Sequence, residues 1–364
     1  MLSQKTMTPS ACLIFNPVAG QGDSEQELKQ ILSLLTPEID LDIKNTTKEI
    51  GADELAHQAL KEGVKIIIAS GGDGTISAVA GVLINTDARL GIIARGTANA
   101  FASALGMPDT IEQQCQTILE GKTKVVDTAL CNGKPMIVLA AIGLEADTIS
   151  QAEREMKDNL GQLAYILSGV QQLQALEPFE VNINSEEKNI RLDAIAVSIA
   201  NAAPPTSFLA QGAAQTIADD GLLDVTVMTS DNLAETVATS YHLLQNALLN
   251  NEAEHQDITY WRTKQVKITT ELPLQVAIDG DVVCQTPLTI ECKPKSLTIF
   301  APPQQADELS NEDIQTLPNS SVVDSKEQSS SHLSNLRTTF AISGVIGGLL
   351  VFLCLAYSLM VYHQ

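Results

Sequence analysis

A glycine-rich turn between an apolar run and a helix-like run constrains this chain more than any other feature. Residues 64–69 (VKIIIA) form a short, β-branched run that is typical of a buried parallel strand. Residues 70–75 then read Ser-Gly-Gly-Asp-Gly-Thr, and residues 76–83 are helix-like. A strand that turns through glycines into a helix leaves backbone N–H groups unpaired at the positive end of the helix dipole. The turn therefore predicts a phosphate site.

Asp73 is the unexpected residue in this turn. A carboxylate repels bound phosphates unless a cation lies between them, so its position indicates Mg²⁺. The residues alone leave an alternative open, which is a tight turn in which Asp73 hydrogen-bonds to its own backbone.

Strand-like and helix-like runs alternate through the first third of the chain. The strand-like runs are 12–15, 41–44, 64–69 and 90–94, and the helix-like runs are 24–35, 53–61, 76–83 and one after 99. This alternation predicts a doubly wound parallel α/β sheet. Ligands of such sheets bind at the carboxyl ends of the strands, where the loops 16–22, 71–75 and 95–99 should emerge together.

The pattern changes after residue 125, where short strand-like runs dominate. They are 125–131, 136–142, 179–183, 190–199, 223–228, 265–269, 274–278 and 288–291, with helical stretches at 152–176 and 233–249. This pattern predicts a mostly antiparallel β-sandwich domain. We expect an α/β domain over residues 1–130, completed by a returning strand within 294–302, and a sandwich over residues 131–293.

The C-terminal part is expected to form a linker and a membrane anchor. Residues 303–338 are polar and predict a flexible linker, and residues 340–362 contain no charge. That uncharged run is about 35 Å long as a helix, so we expect a transmembrane helix over 339–362, with a buried soluble helix as the alternative. Arg337 precedes the span, so by the positive-inside rule we expect the catalytic domains in the cytoplasm. The pair Gly344 and Gly348 leaves a homodimer open.

Composition narrows the classes of function. The chain has 44 acidic and 22 basic residues, a formal net charge of −22, which argues against nucleic acid as a partner. Its six cysteines are scattered and lack the spacing of metal ligands. This favours cysteines that pack in the core of a protein in a reducing compartment over a disulfide or zinc framework. No signal-peptide pattern precedes the first strand, so we expect the first domain to stay in the cytoplasm.

Taken together, the motifs resemble the diacylglycerol/sphingosine/ceramide lipid kinase family, especially its bacterial members, over roughly residues 10–302. The elements that carry the resemblance are Asn16-Pro17-x-x-Gly20, Gly71-Gly72-Asp73-Gly74-Thr75, Gly96-Thr97-Ala98-Asn99-x-Phe101-Ala102, Val126-Asp127, Asp220-Gly221-Leu222-Leu223-Asp224-Val225 and Asp279-Gly280-Asp281. One Gly-Gly-Asp-Gly alone is moderately specific, because NAD kinases also carry it. Six elements in this order are strongly specific.

The resemblance implies cofactors, an acceptor and a set of site residues. ATP and Mg²⁺ are the implied cofactors, and a lipid hydroxyl is the implied acceptor. The residues implied to hold the ATP are Asn16, Gly71, Gly72, Asp73, Gly74, Thr75, Gly96, Thr97 and Asn99. Asp73 and Asp127 would belong to an aspartate–water–Mg²⁺ network. A separate structural cation would bind the Asp220 carboxylate with the backbone carbonyls of Leu222 and Ile217.

Catalysis is implied at the Asp279-Gly280-Asp281 element. Asp281 takes the place of the family's proposed general base, with Asp279 beside it. Arg95 precedes Gly96, and an always-charged guanidinium there suits a triphosphate, whereas a surface ion pair with Asp87 or Glu145 is the alternative.

Three positions depart from the family pattern. Ala100 stands where the family usually has aspartate, Asp281 replaces its glutamate, and residues 204–209 replace a glycine-rich segment. The sequence thus predicts an ATP- and Mg²⁺-dependent, membrane-anchored kinase of a lipid such as diacylglycerol. The alternatives are a kinase of a soluble substrate, similar to NAD kinase, and a nucleotide-binding membrane protein that has lost catalysis.

Overall fold

The structure is a computed structural model that describes residues 10–20, 22–143, 178–203, 216–229 and 258–302. These residues all belong to the first of two compact units, residues 1–311. The second unit, residues 312–364, lies outside the described residues.

The N-terminal third forms a parallel sheet with helices. Its strands are β1 (Ser10–Phe15), β2 (Asp40–Asn45), β3 (Ile66–Gly71) and β4 (Arg89–Ala94). They pair in parallel in the order β2-β1-β3-β4, and all six residues of β3 are buried. The helices are α1 (Ser24–Leu35), α2 (Ala52–Lys61), α3 (Asp73–Leu83), α4 (Ala100–Ala104) and α5 (Ile111–Glu120). Since β3 lies between β1 and β4, the loops that follow these three strands are neighbours at one edge.

One long strand extends this sheet into the rest of the unit. The remaining strands of the sheet are β5 (Thr123–Cys131), β6 (Lys134–Met136), β8 (Phe179–Ser185), β9 (Asn189–Ala194), β13 (Gln265–Thr270) and β16 (Leu288–Phe300). The C-terminal half of β16 pairs in parallel with β4, and its N-terminal half pairs antiparallel with β13. β5 runs antiparallel along both halves of β16, with an irregularity between Lys293 and Leu297.

The second sheet is antiparallel and packs against part of the first. It consists of β7 (Leu139–Gly143), β10 (Ala196–Ala200), β11 (Leu223–Met228), β12 (Ile258–Thr263), β14 (Gln275–Ile278) and β15 (Asp281–Gln285), in the order β12-β11-β10-β7-β14-β15. Fully buried side chains of both sheets share one core, among them Ile183 and Ile268 of the first sheet and Val197 and Val225 of the second. Burial of this apolar surface is what holds the two layers together.

The predicted combination of a parallel α/β sheet and an antiparallel sheet region is confirmed. The sequence did not show that residues 288–300 form a single strand shared by both regions, and it missed α5, β12 and β15. The predicted helical stretches 152–176 and 233–249 lie outside the described residues.

The predicted membrane anchor and membrane localisation need correction. In the part of the chain that the structure describes, no helix is long and apolar enough to span a bilayer. The linker 303–338 and the stretch 339–362, on which that prediction depended, lie outside the described residues. We therefore do not carry the anchored localisation forward.

Candidate active site

Three glycine-bearing loops meet at the carboxyl ends of β1, β3 and β4, as the sequence predicts. They are the first loop (residues 16–20), the second loop (71–75) and the third loop (95–99). The backbone N–H of Asn16 donates to the Ser70 carbonyl at 2.9 Å, and that of Arg95 donates to the Gly71 carbonyl at 2.8 Å. The Asn16 side-chain amide donates to the Thr75 hydroxyl at 2.9 Å, which joins the first loop to the first turn of α3. The predicted nucleotide residues of all three loops therefore lie at one edge of the sheet.

The beginning of α3 has the features of an anion cradle. Gly72 is its N-cap and supplies no side chain to bond the first-turn N–H groups. A Cβ on Gly96 would lie 2.7 Å from the Gly72 Cα, so the second and third loops pack backbone to backbone. A Cβ on Gly74 would meet nothing within 4 Å, so the space beside the helix terminus is open. This geometry fits a phosphate group, because helix N-termini present N–H donors and a positive dipole end.

The third loop adds an acceptor that has no partner in the described structure. Asn99 adopts a left-handed backbone with φ of 49°. Its Oδ1 is buried and accepts no hydrogen bond from any residue that the structure describes. A buried polar atom of this kind is costly unless a ligand or water binds it, so Asn99 is suited to nucleotide contact. Thr97 is exposed on the same loop.

Asp73 bonds to the backbone of the third loop. Its Oδ2 accepts the Asn99 N–H at 2.9 Å and its Oδ1 accepts the Ala100 N–H at 2.5 Å, so the carboxylate caps α4. Burial raises the pKa of Asp73, and the N–H groups of Ala100 and Asn99 act in the opposite direction. Asp73 thereby links the second loop to the third.

Asp127 bonds to backbone groups of a turn and of β16. The side chain is fully buried, and its two oxygens accept the N–H groups of Gly221 and Lys295, each at 2.6 Å. Its backbone N–H donates to the Ala218 carbonyl at 2.7 Å. Asp127 therefore anchors the turn at residues 218–221 to β16, and its place in a magnesium network with Asp73 stays a prediction.

Asp220, which the resemblance assigns to a structural cation, forms an ion pair with an arginine. Asp220 accepts the Leu222 N–H at 3.0 Å with one oxygen and forms an ion pair with Arg262 through the other. Arg262 also bonds the buried carboxylate of Asp224 at 3.0 Å, and Tyr260 donates to that carboxylate. Arg262 thus supplies a positive charge to the carboxylate of the predicted cation site, and the roles of the Ile217 and Leu222 carbonyls stay a prediction.

The acidic residues of the described ranges do not build a metal centre by themselves. Across those ranges, no group of three or more histidine, cysteine, aspartate or glutamate side chains could hold a metal ion. The predicted sites need no such group, since one combines Asp73 and Asp127 with water and the other combines Asp220 with two backbone carbonyls. The predicted Mg²⁺ ligands stay a prediction, and we derive no step through them.

Arg95 is a buried structural residue that is almost inaccessible to solvent. Its side chain is 1% exposed and forms an ion pair with Glu27. Of the two partners considered from sequence, Asp87 pairs with Lys65, and Glu145 lies outside the described residues. We correct its assignment to phosphate binding.

The Asp279-Gly280-Asp281 element forms the tight turn between β14 and β15. Asp279 and Gly280 have positive φ values of 50° and 100°, which suits a two-residue hairpin turn. The Asp279 carboxylate accepts the N–H groups of Ile137, Val138 and Leu139 at 2.8, 2.7 and 3.1 Å. Burial raises the pKa of Asp279 to about 6 against the opposing effect of these bonds. Asp279 fixes the hairpin, and Asp281 is exposed on it.

Two of the residues that shape this site were missed in the sequence. Glu27 lies on α1, 68 positions from Arg95, and no motif connects the two. Arg262 lies directly opposite Asp224 in the register of β11 and β12, so a correct strand alignment would have revealed that pair.

Comparisons with known proteins agree with this architecture. Residues 10–131 match the family model of the diacylglycerol kinase catalytic domain, and residues 138–301 match that of the YegS C-terminal NAD kinase beta sandwich-like domain. The chain is 46% identical over 306 residues to an uncharacterized protein of Synechocystis, covering 81% of this chain and 71% of that one. It is 29% identical over 305 residues to the diacylglycerol kinase of Bacillus subtilis, covering 82% and 98%. A crystal structure of a diacylglycerol kinase from Bacillus anthracis superposes with a TM-score of 0.64 at 26% identity, covering 82% and 99%.

Proposed function

Because the chain belongs to the diacylglycerol kinase family and is a kinase, we propose that it transfers the γ-phosphate of ATP to the hydroxyl of a lipid such as diacylglycerol. The names of the relatives indicate the class of lipid that accepts the phosphate. The cradle at the beginning of α3 is the proposed site for the phosphates of ATP, the donor.

The observation that carries the proposal is the uncapped N-terminus of α3 beside the packed glycines of the second and third loops. In this arrangement the N–H groups of Asp73 and Gly74 receive the ATP phosphates, and the open space at Gly74 admits them. The orphan Oδ1 of Asn99 accepts a donor of the nucleotide or of its bound water.

The chemistry that remains for the protein is positioning and proton transfer. Phosphoryl transfer depends mainly on alignment of donor and acceptor and on charge stabilisation. The exposed carboxylate of Asp281 accepts the proton of the lipid hydroxyl, while Asp279 holds the hairpin that carries it. A divalent ion commonly accompanies ATP in kinases, where it neutralises phosphate charge.

A labelled-transfer assay tests the proposal. The purified chain is incubated with γ-labelled ATP and either a total lipid extract or NAD, and the labelled product is identified by mass. We expect label in a phosphorylated lipid and none in NADP, and Asp281→Asn is expected to lose the signal while remaining folded. Label in NADP alone would favour the NAD kinase-like alternative. Nucleotide binding without transfer to any acceptor would favour a chain that has lost catalysis.

A further inference from the structure

We propose that Arg95 and Glu27 form a buried clamp that positions the first glycine loop, residues 16–20, for ATP. Arg95 is then a positioning residue, and Glu27 is a further member of the site. The inference rests on the proposed function, because it assigns the clamp to ATP binding.

The guanidinium of Arg95 uses every N–H that it has. Nε donates to the Ser70 hydroxyl at 2.9 Å. One terminal nitrogen donates to the Ala19 carbonyl at 3.1 Å and to Glu27 at 2.5 Å. The other donates to the Asn16 carbonyl at 2.5 Å and to the Ser70 carbonyl at 3.4 Å. An arginine has five N–H donors, so none is left for a phosphate.

The ring of Phe15 and the carboxylate of Glu27 make this position specific for arginine. The guanidinium carbon lies 4.0 Å from the centroid of the Phe15 ring, a stacking arrangement that a planar cation favours. Glu27 is on the first turn of α1 and neutralises the buried charge. Gly20 packs against the same carboxylate, since a Cβ there would lie 3.1 Å from the Glu27 Oε2.

The bonds of the clamp end on the parts of the loop that shape the phosphate cradle. Arg95 donates to two carbonyls of the first loop, at Asn16 and Ala19, and the Asn16 carbonyl also accepts the Ala19 N–H at 3.3 Å. The Asn16 side chain in turn bonds Thr75 in the first turn of α3. Loss of the Arg95 hydrogen bonds would allow the first loop to shift, and Asn16 would then move relative to the anion cradle. A lysine keeps the charge but offers three donors on a point charge, so it cannot reproduce the five bonds.

The test compares ATP binding with turnover in Arg95→Lys and Glu27→Gln. We expect Arg95→Lys to raise the KM and the calorimetric Kd for ATP by about tenfold or more, since small misplacements of binding groups have effects of that size. We expect kcat to stay within about threefold and the KM for lipid to be unchanged. Glu27→Gln keeps an acceptor and loses the charge, so its effect on ATP should be in the same direction and smaller. The matched control is Arg191→Lys, a change at an exposed arginine paired with Glu180.

Circular dichroism first establishes that each variant is folded at the assay temperature. If Arg95→Lys is folded and binds ATP within about twofold of the wild type, the clamp has no positioning role and the inference is wrong. If Arg95→Lys does not fold, the KM and Kd for ATP are measured on Glu27→Gln instead. An unchanged Kd of that variant for ATP overturns the inference. Failure of the wild type itself to bind ATP would instead count against the proposed function.

Discussion

The buried carboxylate of Asp279 gives a prediction whose size follows from the structure. Its pKa is raised by burial to about 6, whereas an aspartate in an unfolded chain has a pKa near 3.9. The folded protein therefore holds this proton more tightly than the unfolded chain does. Asp279 stabilises the fold fully only below the unfolded pKa, and that stabilisation is lost as the pH rises through about 6. A difference of about two pKa units corresponds to about 3 kcal/mol in total.

The variant Asp279→Asn isolates this effect, because asparagine does not titrate. It also leaves one of the three backbone donors at Ile137, Val138 and Leu139 facing an amide N–H, which costs about 1–3 kcal/mol at every pH. The constant offset cancels when two pH values are compared. Between about pH 5 and about pH 7.5, the free energy of unfolding of the variant should rise relative to the wild type by about 1.5 kcal/mol.

The measurement is urea unfolding followed by circular dichroism at intervals over that pH range, with linear extrapolation for each protein. Asp193→Asn, a change at an exposed aspartate, is the matched control for the Asp-to-Asn substitution itself. A difference between Asp279→Asn and the wild type that stays flat with pH would refute the reasoning. It would mean that the bonds from residues 137–139 fully offset the cost of burying the charge.

Three further changes test other parts of the site. Gly74→Ala should raise the KM for ATP in steady-state kinetics, because its Cβ enters the proposed phosphate space. The same change should stabilise α3 by up to about 1 kcal/mol in urea unfolding. An unchanged KM would show that Gly74 does not line the cradle. Arg262→Met should lower the free energy of unfolding by about 1–3 kcal/mol, since its side chain is 28% exposed, and should make Tm rise with added Mg²⁺. A wild-type Tm that rises equally with Mg²⁺ would show that Arg262 does not replace a cation. Asp281→Asn should lower kcat by about 10²–10⁴-fold with the KM for ATP little changed, and near-normal turnover would exclude it as the base.

The location of the site could be predicted because it follows from local pattern and topology. Each glycine loop comes directly after a β-branched run, and the carboxyl ends of parallel strands share one edge. The Gly71–Thr75 motif therefore indicated the anion cradle without knowledge of any long-range contact.

The bonding partner of each charged side chain could not be predicted in the same way. Asp73 is 27 positions from Ala100, and Arg95 is 68 positions from Glu27. Such pairs depend on how loops approach after folding, and a buried charge takes whichever partner packing brings near it. Sequence pattern indicated metal for Asp73 and phosphate for Arg95, because both ligands are common partners of those residue types. The structure satisfies both side chains internally.

The most direct test of the proposed activity is to follow the oxygens of the γ-phosphate. Purified protein is given ATP with ¹⁸O in its γ-phosphate and diacylglycerol in detergent micelles, and the lipid product is examined by mass spectrometry. The account predicts phosphatidate that carries the labelled phosphoryl oxygens, with Gly74→Ala needing more ATP to reach the same rate. Folded protein that binds ATP but leaves diacylglycerol and every lipid of a total extract unlabelled would contradict it.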